Sequence, residues 1–186
     1  MRKVHPGLLI GLFAAIGLWV FSRTERGGEV IDEVVDYGAD VMTGADNNIR
    51  AFLTLIGFSE GTERMADPYR VVYGYKHTIQ DLSDHPAITG EWRGERLPDS
   101  MCASAGLPAG CISTAAGRYQ FIRGTWLAAR DALGLPDFGP ESQDRAALWL
   151  IERRGALEDV KAGRVGDAIL KVRREWASLP GAGWGQ

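Results

Sequence analysis

The feature that constrains this chain most is an apolar stripe that ends in an acid. Ile49, Phe52, Leu53 and Ile56 fall at i, i+3, i+4 and i+7, the spacing of one buried helix face, and four residues on the same face reaches Glu60. Gly61 follows and predicts the stop. A carboxyl group placed there is driven toward its protonated form twice, by burial and by the negative end of the helix dipole. That is the state a general acid requires. A plainer reading stands beside it: Glu60 turns to solvent past the last turn, or pairs with Arg64.

The remaining pattern is mostly helical. "TWLAARDAL", "GPESQDRAALWLIERRG" and "GDAILKVRREWASLPG" each carry helical spacing, with Pro140 at a first turn and Gly155 as a stop. "YRVVYGYKHTI" (69–79) is rich in β-branched and aromatic residues and predicts a short hairpin or pair of strands. Residues 80–114 show no period. The expected architecture is α+β, mostly helical, with one small β-element. Trp126, Trp149 and Trp176 sit on helical stripes and are expected in the core.

A net charge of -3 gives no electrostatic case for nucleic acid. There is no phosphate-binding glycine motif, so nothing points to a nucleotide. His5, His77, His85 and the two cysteines lack metal-ligand spacing, so neither metal nor cofactor is expected.

The start of the chain is different. Arg2 and Lys3 precede an apolar run from Gly7 to Phe21. Those fifteen residues extend roughly 22 Å as a helix, against about 30 Å of bilayer core, and three glycines dilute them. The run exits through bulky residues rather than an A-x-A cleavage site, which favours an uncleaved anchor over a signal peptide. The basic leader places the N-terminus in the cytoplasm and the remainder outside the inner membrane, although Arg23 and Arg26 oppose that bias. Residues 23–47 read as an acidic amphipathic linker, with Asp46 or Asn47 expected to cap the helix that follows. The expected divisions are therefore 1–22, 23–47 and 48–186. For a domain outside the cytoplasm, Cys102 and Cys111, nine apart across "CASAGLPAGC", are expected to form a disulfide.

Six short motifs occur in order: "SEGT" (59–62), "SDHP" (83–86), "TAAGRYQF" (114–121), "SQD" (142–144), "ERRGAL" (152–157) and "WASLPGAGWGQ" (176–186). Together they resemble the bacteriophage lambda endolysin family, lytic transglycosylases of lysozyme-like fold, over residues 48–186. The resemblance implies cleavage of the β-1,4 bond between N-acetylmuramic acid and N-acetylglucosamine in peptidoglycan. The muramic C6 hydroxyl attacks C1 and leaves a 1,6-anhydro ring. Glu60 is the implied catalytic acid and base. Gly117, Tyr119 and Gln120 are expected to line the far side of the cleft, with Ser59, Tyr73, Tyr75 and Trp184 as further sugar contacts. Asp84 and His85 are expected to brace a turn.

Family members carry a further helical stretch after the segment that ends here at Gln186. The N-terminal run resembles the signal-arrest-release anchors of other phage endolysins. That likeness implies a membrane-tethered form, released to the periplasm when a holin, pinholin or other event collapses the membrane potential. Two rival functions remain at this stage. A hydrolytic muramidase would need a second acid, for which Asp67, Asp81, Asp84, Glu91, Glu95 and Asp99 are available. A non-catalytic, membrane-tethered wall-binding protein would need none.

Overall fold

The structure, a computed structural model, describes residues 44–181. The apolar run 7–21, most of the linker and Trp184 lie outside the described residues. Seven helices are described: α1 (Gly44–Ser59), α2 (Pro86–Thr89), α3 (Asp99–Ser104), α4 (Arg123–Leu133), α5 (Pro140–Arg153), α6 (Leu157–Lys161) and α7 (Val165–Val172). Two strands, β1 (Glu95–Arg96) and β2 (Ile112–Ser113), pair antiparallel with Glu95 opposite Ser113 and Arg96 opposite Ile112.

α1 is the central element. Ile49, Phe52, Leu53 and Ile56 are all buried, as the stripe predicts. The helix starts at Gly44, so Asp46 and Asn47 lie in its first turn rather than at its cap. Asp46 still sits where the positive end of the helix dipole favours an acid. α1 packs against α6, and Asn48 Nδ2 donates to the Lys161 carbonyl at 2.9 Å.

The other wall of the core is aromatic. Trp126 meets Phe138 edge-on at 4.6 Å and its indole N–H donates to Asp84 Oδ1 at 2.7 Å. Asp84 Oδ2 in turn accepts from Arg130 at 2.5 Å. His85, fully buried, caps α2 by accepting from the Ala87 N–H, and its Nε2 lies 2.9 Å from the Phe121 carbonyl. "SDHP" is therefore a brace, as expected. Trp126 and Trp176 are core residues; Trp149 is only half-buried, with the Arg153 guanidinium 4.3 Å above its ring.

The β-element is displaced from its expected position. Residues 69–79 form two single 3-10 turns, Pro68–Arg70 and Tyr73–Tyr75, with isolated bridges from Val71 to Thr78 and from Val72 to Ala116. Gly74 (φ 79) and Tyr75 (φ 59) both take left-handed backbone, which a continuous strand cannot hold. The paired strands instead flank α3 in the aperiodic region. There the Cys102–Cys111 disulfide forms, Cα to Cα 5.8 Å, and Leu97 N–H donates to the Cys111 carbonyl at 2.9 Å. Closing so short a loop stabilises by about 2–3 kcal/mol. Cys102→Ala with Cys111→Ala should lower stability by that amount in urea unfolding; an unchanged midpoint would show that the staple is idle.

Candidate active site

Glu60 follows the last residue of α1. Its N–H still donates to the Ile56 carbonyl at 2.9 Å, so the residue continues the helical path that carries the stripe. Gly61 then takes φ 77 and ends it. An added Cβ at Gly61 would stand 2.5 Å from the Tyr75 hydroxyl, so both the left-handed backbone and the close approach of Tyr75 require glycine here. That hydroxyl donates to the Glu60 carbonyl at 2.9 Å and fixes the turn.

The carboxyl group is half-buried. Its Oε1 accepts from Ser178 Oγ at 2.6 Å, and Ser178 Oγ lies 2.8 Å from Ser59 Oγ. Burial raises the Glu60 pKa above the ordinary carboxylate value, and the Ser178 hydrogen bond pulls against it. Ser178 reaches the site because Trp176 and Leu179, both buried, pin the chain on either side of it. Trp176 also donates its indole N–H to the Tyr119 carbonyl at 3.0 Å.

Several expected sugar contacts lie elsewhere. Tyr119 is fully buried, and its hydroxyl donates to Asp144 Oδ1 at 2.6 Å, so it offers no stacking face. Gly117 is also interior: an added Cβ would overlap Gln143 Oε1 and come within 3.0 Å of the Phe138 ring. Its φ of 78 adds a second objection to any side chain. Gly117→Ala should therefore destabilise by about 1–3 kcal/mol without a specific effect on substrate affinity, which melting and KM together check. Gln120 holds φ 49 and directs its amide to the Gly117 carbonyl at 2.9 Å, an internal contact. Ser59 serves Ser178 rather than open space. Tyr73 is half-buried, with its N–H on the Ala115 carbonyl at 2.8 Å. Tyr75, 51% exposed, is the expected aromatic whose ring stands open beside Glu60.

A second polar centre was not foreseen. Arg118 donates to Glu63 Oε1 (2.5 Å), Tyr69 Oη (2.9 Å), Tyr119 Oη (3.0 Å) and Thr54 Oγ1 (3.1 Å). Tyr69 and Tyr119 both donate to Asp144, which lies 3.7 Å from Arg118. Burial, followed by the Asp144 charge, pushes the Tyr69 hydroxyl up to about 12, so both phenols stay protonated donors. Gln143, fully buried, binds the Tyr69 and Phe138 carbonyls through Nε2 and accepts the Arg118 N–H through Oε1. A cavity of about 420 Å³ opens over Arg118 between α1 and α5 and does not include Glu60. Its floor is the hydrogen-bonded network of Thr54, Arg118 and Asp144.

Five of the six motifs are thus joined by hydrogen bonds, "SDHP" through His85 and the Phe121 carbonyl. Ser59 and Glu60 meet Ser178, Thr62 Oγ1 donates to the Arg118 carbonyl at 2.7 Å, and Gln143 and Asp144 hold Arg118 and Tyr119. Known proteins are similar to this chain. A sequence model described as Endolysin matches residues 50–186. The endolysin of Escherichia phage P2 is 43% identical over 139 residues, covering 75% of this chain and 83% of that protein. The chain belongs to the endolysin family. The endolysin of Escherichia phage lambda is 39% identical over 150 residues, covering 78% of this endolysin and 85% of its own length. The solved lysozyme from bacteriophage lambda superposes with a TM-score of 0.62 at 35% identity, over 80% of this chain and 87% of that one. A second structure, bacteriophage lambda lysozyme complexed with a chitohexasaccharide, gives 0.61 at 36%, with the same coverage. This endolysin therefore has a lambda-lysozyme-like fold, mostly helical with a two-stranded sheet.

Proposed function

We propose that this endolysin lyses the bacterial cell wall as a lytic transglycosylase, cutting the β-1,4 bond between N-acetylmuramic acid and N-acetylglucosamine. The observation that carries the reading is the isolation of Glu60. Burial raises its proton affinity, the Ser178 hydrogen bond lowers it, and no carboxylate hydrogen-bonds to the Glu60 side chain among the described residues.

The acids that a two-carboxyl mechanism could recruit are engaged elsewhere. Asp67 holds Tyr69 N–H and Arg70. Asp81 holds Ser83, and Asp84 holds Trp126 and Arg130. Glu91 accepts from the backbone of Gln80 and Asp81 and pairs with His77. Glu95 pairs with Lys76, and Asp99 with Arg96 and Gly110 N–H.

One acid suffices when the substrate supplies the nucleophile. Protonated Glu60 gives its proton to the glycosidic oxygen as the C1–O bond breaks. The muramic C6 hydroxyl then closes on C1 and returns a proton to the Glu60 carboxylate, so no water is consumed and the acid is regenerated. That lambda lysozyme is seen with a chitohexasaccharide supports a glycan as the ligand of this endolysin. Mass spectrometry of digested peptidoglycan tests the proposal: 1,6-anhydro ends are expected, and reducing muramic ends would assign the hydrolytic alternative.

The basic leader and the apolar run 7–21 support a tethered, releasable form held in the inner membrane before lysis. No helix among the described residues is long and apolar enough to cross a membrane. Full-length protein should therefore sediment with membranes, and protein lacking residues 1–22 should not. Equal partitioning would remove the tether.

A further inference from the structure

We propose that Ser178 and Ser59 form a two-hydroxyl chain that decides which oxygen of Glu60 carries the transferable proton. The inference rests on Glu60 being the catalytic acid and adds two positioning residues to it.

The number of hydrogens available fixes the polarity. Each hydroxyl has one. Ser178 Oγ lies 2.6 Å from Glu60 Oε1 and 2.8 Å from Ser59 Oγ, while Ser59 Oγ also lies 2.9 Å from the Ile56 carbonyl. If Ser178 donates to Oε1, its contact with Ser59 is a hydrogen bond only when Ser59 is the donor. The Ile56 carbonyl loses nothing by this, because the Glu60 N–H already fills it at 2.9 Å. The chain then runs Ser59 to Ser178 to Oε1, and Oε1 is an acceptor. A proton on the carboxyl group is then favoured on Oε2, because the carbonyl oxygen is the stronger acceptor.

Oε2 is the other oxygen. It accepts no hydrogen bond among the described residues, and it is not a buried atom lacking a partner, so it keeps some access to solvent. The opposite polarity also satisfies every group: Oε1–H to Ser178, Ser178 to Ser59, and Ser59 to the Ile56 carbonyl. In that arrangement the proton is parked on the inner oxygen, away from substrate. The two states differ only in hydroxyl rotation and in the position of one proton. Forward polarity both arms the acid and steadies the anion left after transfer.

No other side chain among the described residues hydrogen-bonds the carboxyl group. Tyr75 contacts the Glu60 backbone carbonyl, not the carboxyl group. Glu63, in the next turn, is held by Arg118. Arg173, on the segment that delivers Ser178, lies against Gly181.

The test is the pH profile of kcat/KM for lysis of purified peptidoglycan by wild type, Ser178→Ala, Ser59→Ala, the double variant, Ser178→Thr and Ser178→Cys, with Glu60→Gln as reference. Ser178→Ala should lower kcat roughly three- to tenfold at unchanged KM and move the alkaline limb upward by about half to one pH unit, because the carboxylate loses its donor. Ser178→Thr should restore both. Ser59→Ala should cost less alone and nothing further on top of Ser178→Ala, since it acts only through that hydroxyl. Should Ser178→Ala fail to fold, Ser178→Cys, which keeps the shape with a weak donor, is expected to show the same upward move. An alkaline limb that stays with the wild type, or losses that multiply in the double variant, would overturn the chain. If Glu60→Gln still lyses, the catalytic reading itself fails. If Glu60→Gln is inert and the serine profiles are flat, only the positioning role falls.

Discussion

Glu60→Gln should reduce lytic activity by about 10²–10⁴-fold, the usual contribution of a positioned acid–base group. Glutamine keeps the shape and can still accept from Ser178, so the loss is chemical and not a failure to fold. Stability should move the other way. Burial raises the Glu60 pKa in the folded state, so folded protein binds that proton more tightly than unfolded protein does. The resulting stabilisation is fully present below the unfolded value and is lost as pH rises through the folded one. Above that range the buried carboxylate is a burden that glutamine removes, so the variant should melt at or above the wild type near neutral pH. Wild-type activity should fall over the same rise in pH, as the acid loses its proton. Calorimetry and a turbidity assay on one preparation check both statements. A variant that keeps lysing would exclude Glu60 as the acid, and one that melts well below wild type would leave the activity loss unassigned.

Arg118→Ala should be the most damaging substitution outside the active site. Arg118 and Glu63 are only 13% and 16% exposed at their side chains, so solvent screens the pair poorly. Removing the guanidinium strands Glu63 and leaves Asp144 with its two phenols but no cation. Breaking a buried pair in this way costs about 3 kcal/mol or more, roughly a 6–12 °C fall in melting temperature for a domain of this size. Arg118→Lys should lose less, since it keeps the charge but not the fork that reaches several oxygens at once. A change below about 1 kcal/mol in Arg118→Ala would show that the cluster is solvated in practice.

Local patterns were legible in the sequence, and long-range pairings were not. The α1 stripe, its acid and its glycine stop follow from helical spacing alone. The disulfide follows from two cysteines in a short glycine-rich loop. The strands were misplaced because each is only two residues long, too short for alternation to register. Residues 69–79 have strand composition, but the left-handed backbone at Gly74 and Tyr75 overrides it. Tyr119 read as a cleft residue because its motif is polar and glycine-rich. It is buried because Asp144 and Arg118, distant from it in part, satisfy its hydroxyl. Arg118 sits in a quoted motif with no local sign of its partners, which come from α1, the Thr62–Arg64 and Pro68–Arg70 turns and α5. Ser178 was equally silent, one serine in a tight loop.

The Ser178 contact joins residues 118 positions apart. Synthesis proceeds from the N-terminus, so Glu60 leaves the ribosome while its partner is still unmade. A nascent or prematurely terminated chain therefore holds the acid without the hydroxyl that orients it. Full turnover therefore waits until the chain has been made through Ser178 and folded back onto the end of α1, and loss of that one hydroxyl slows the acid rather than abolishing it.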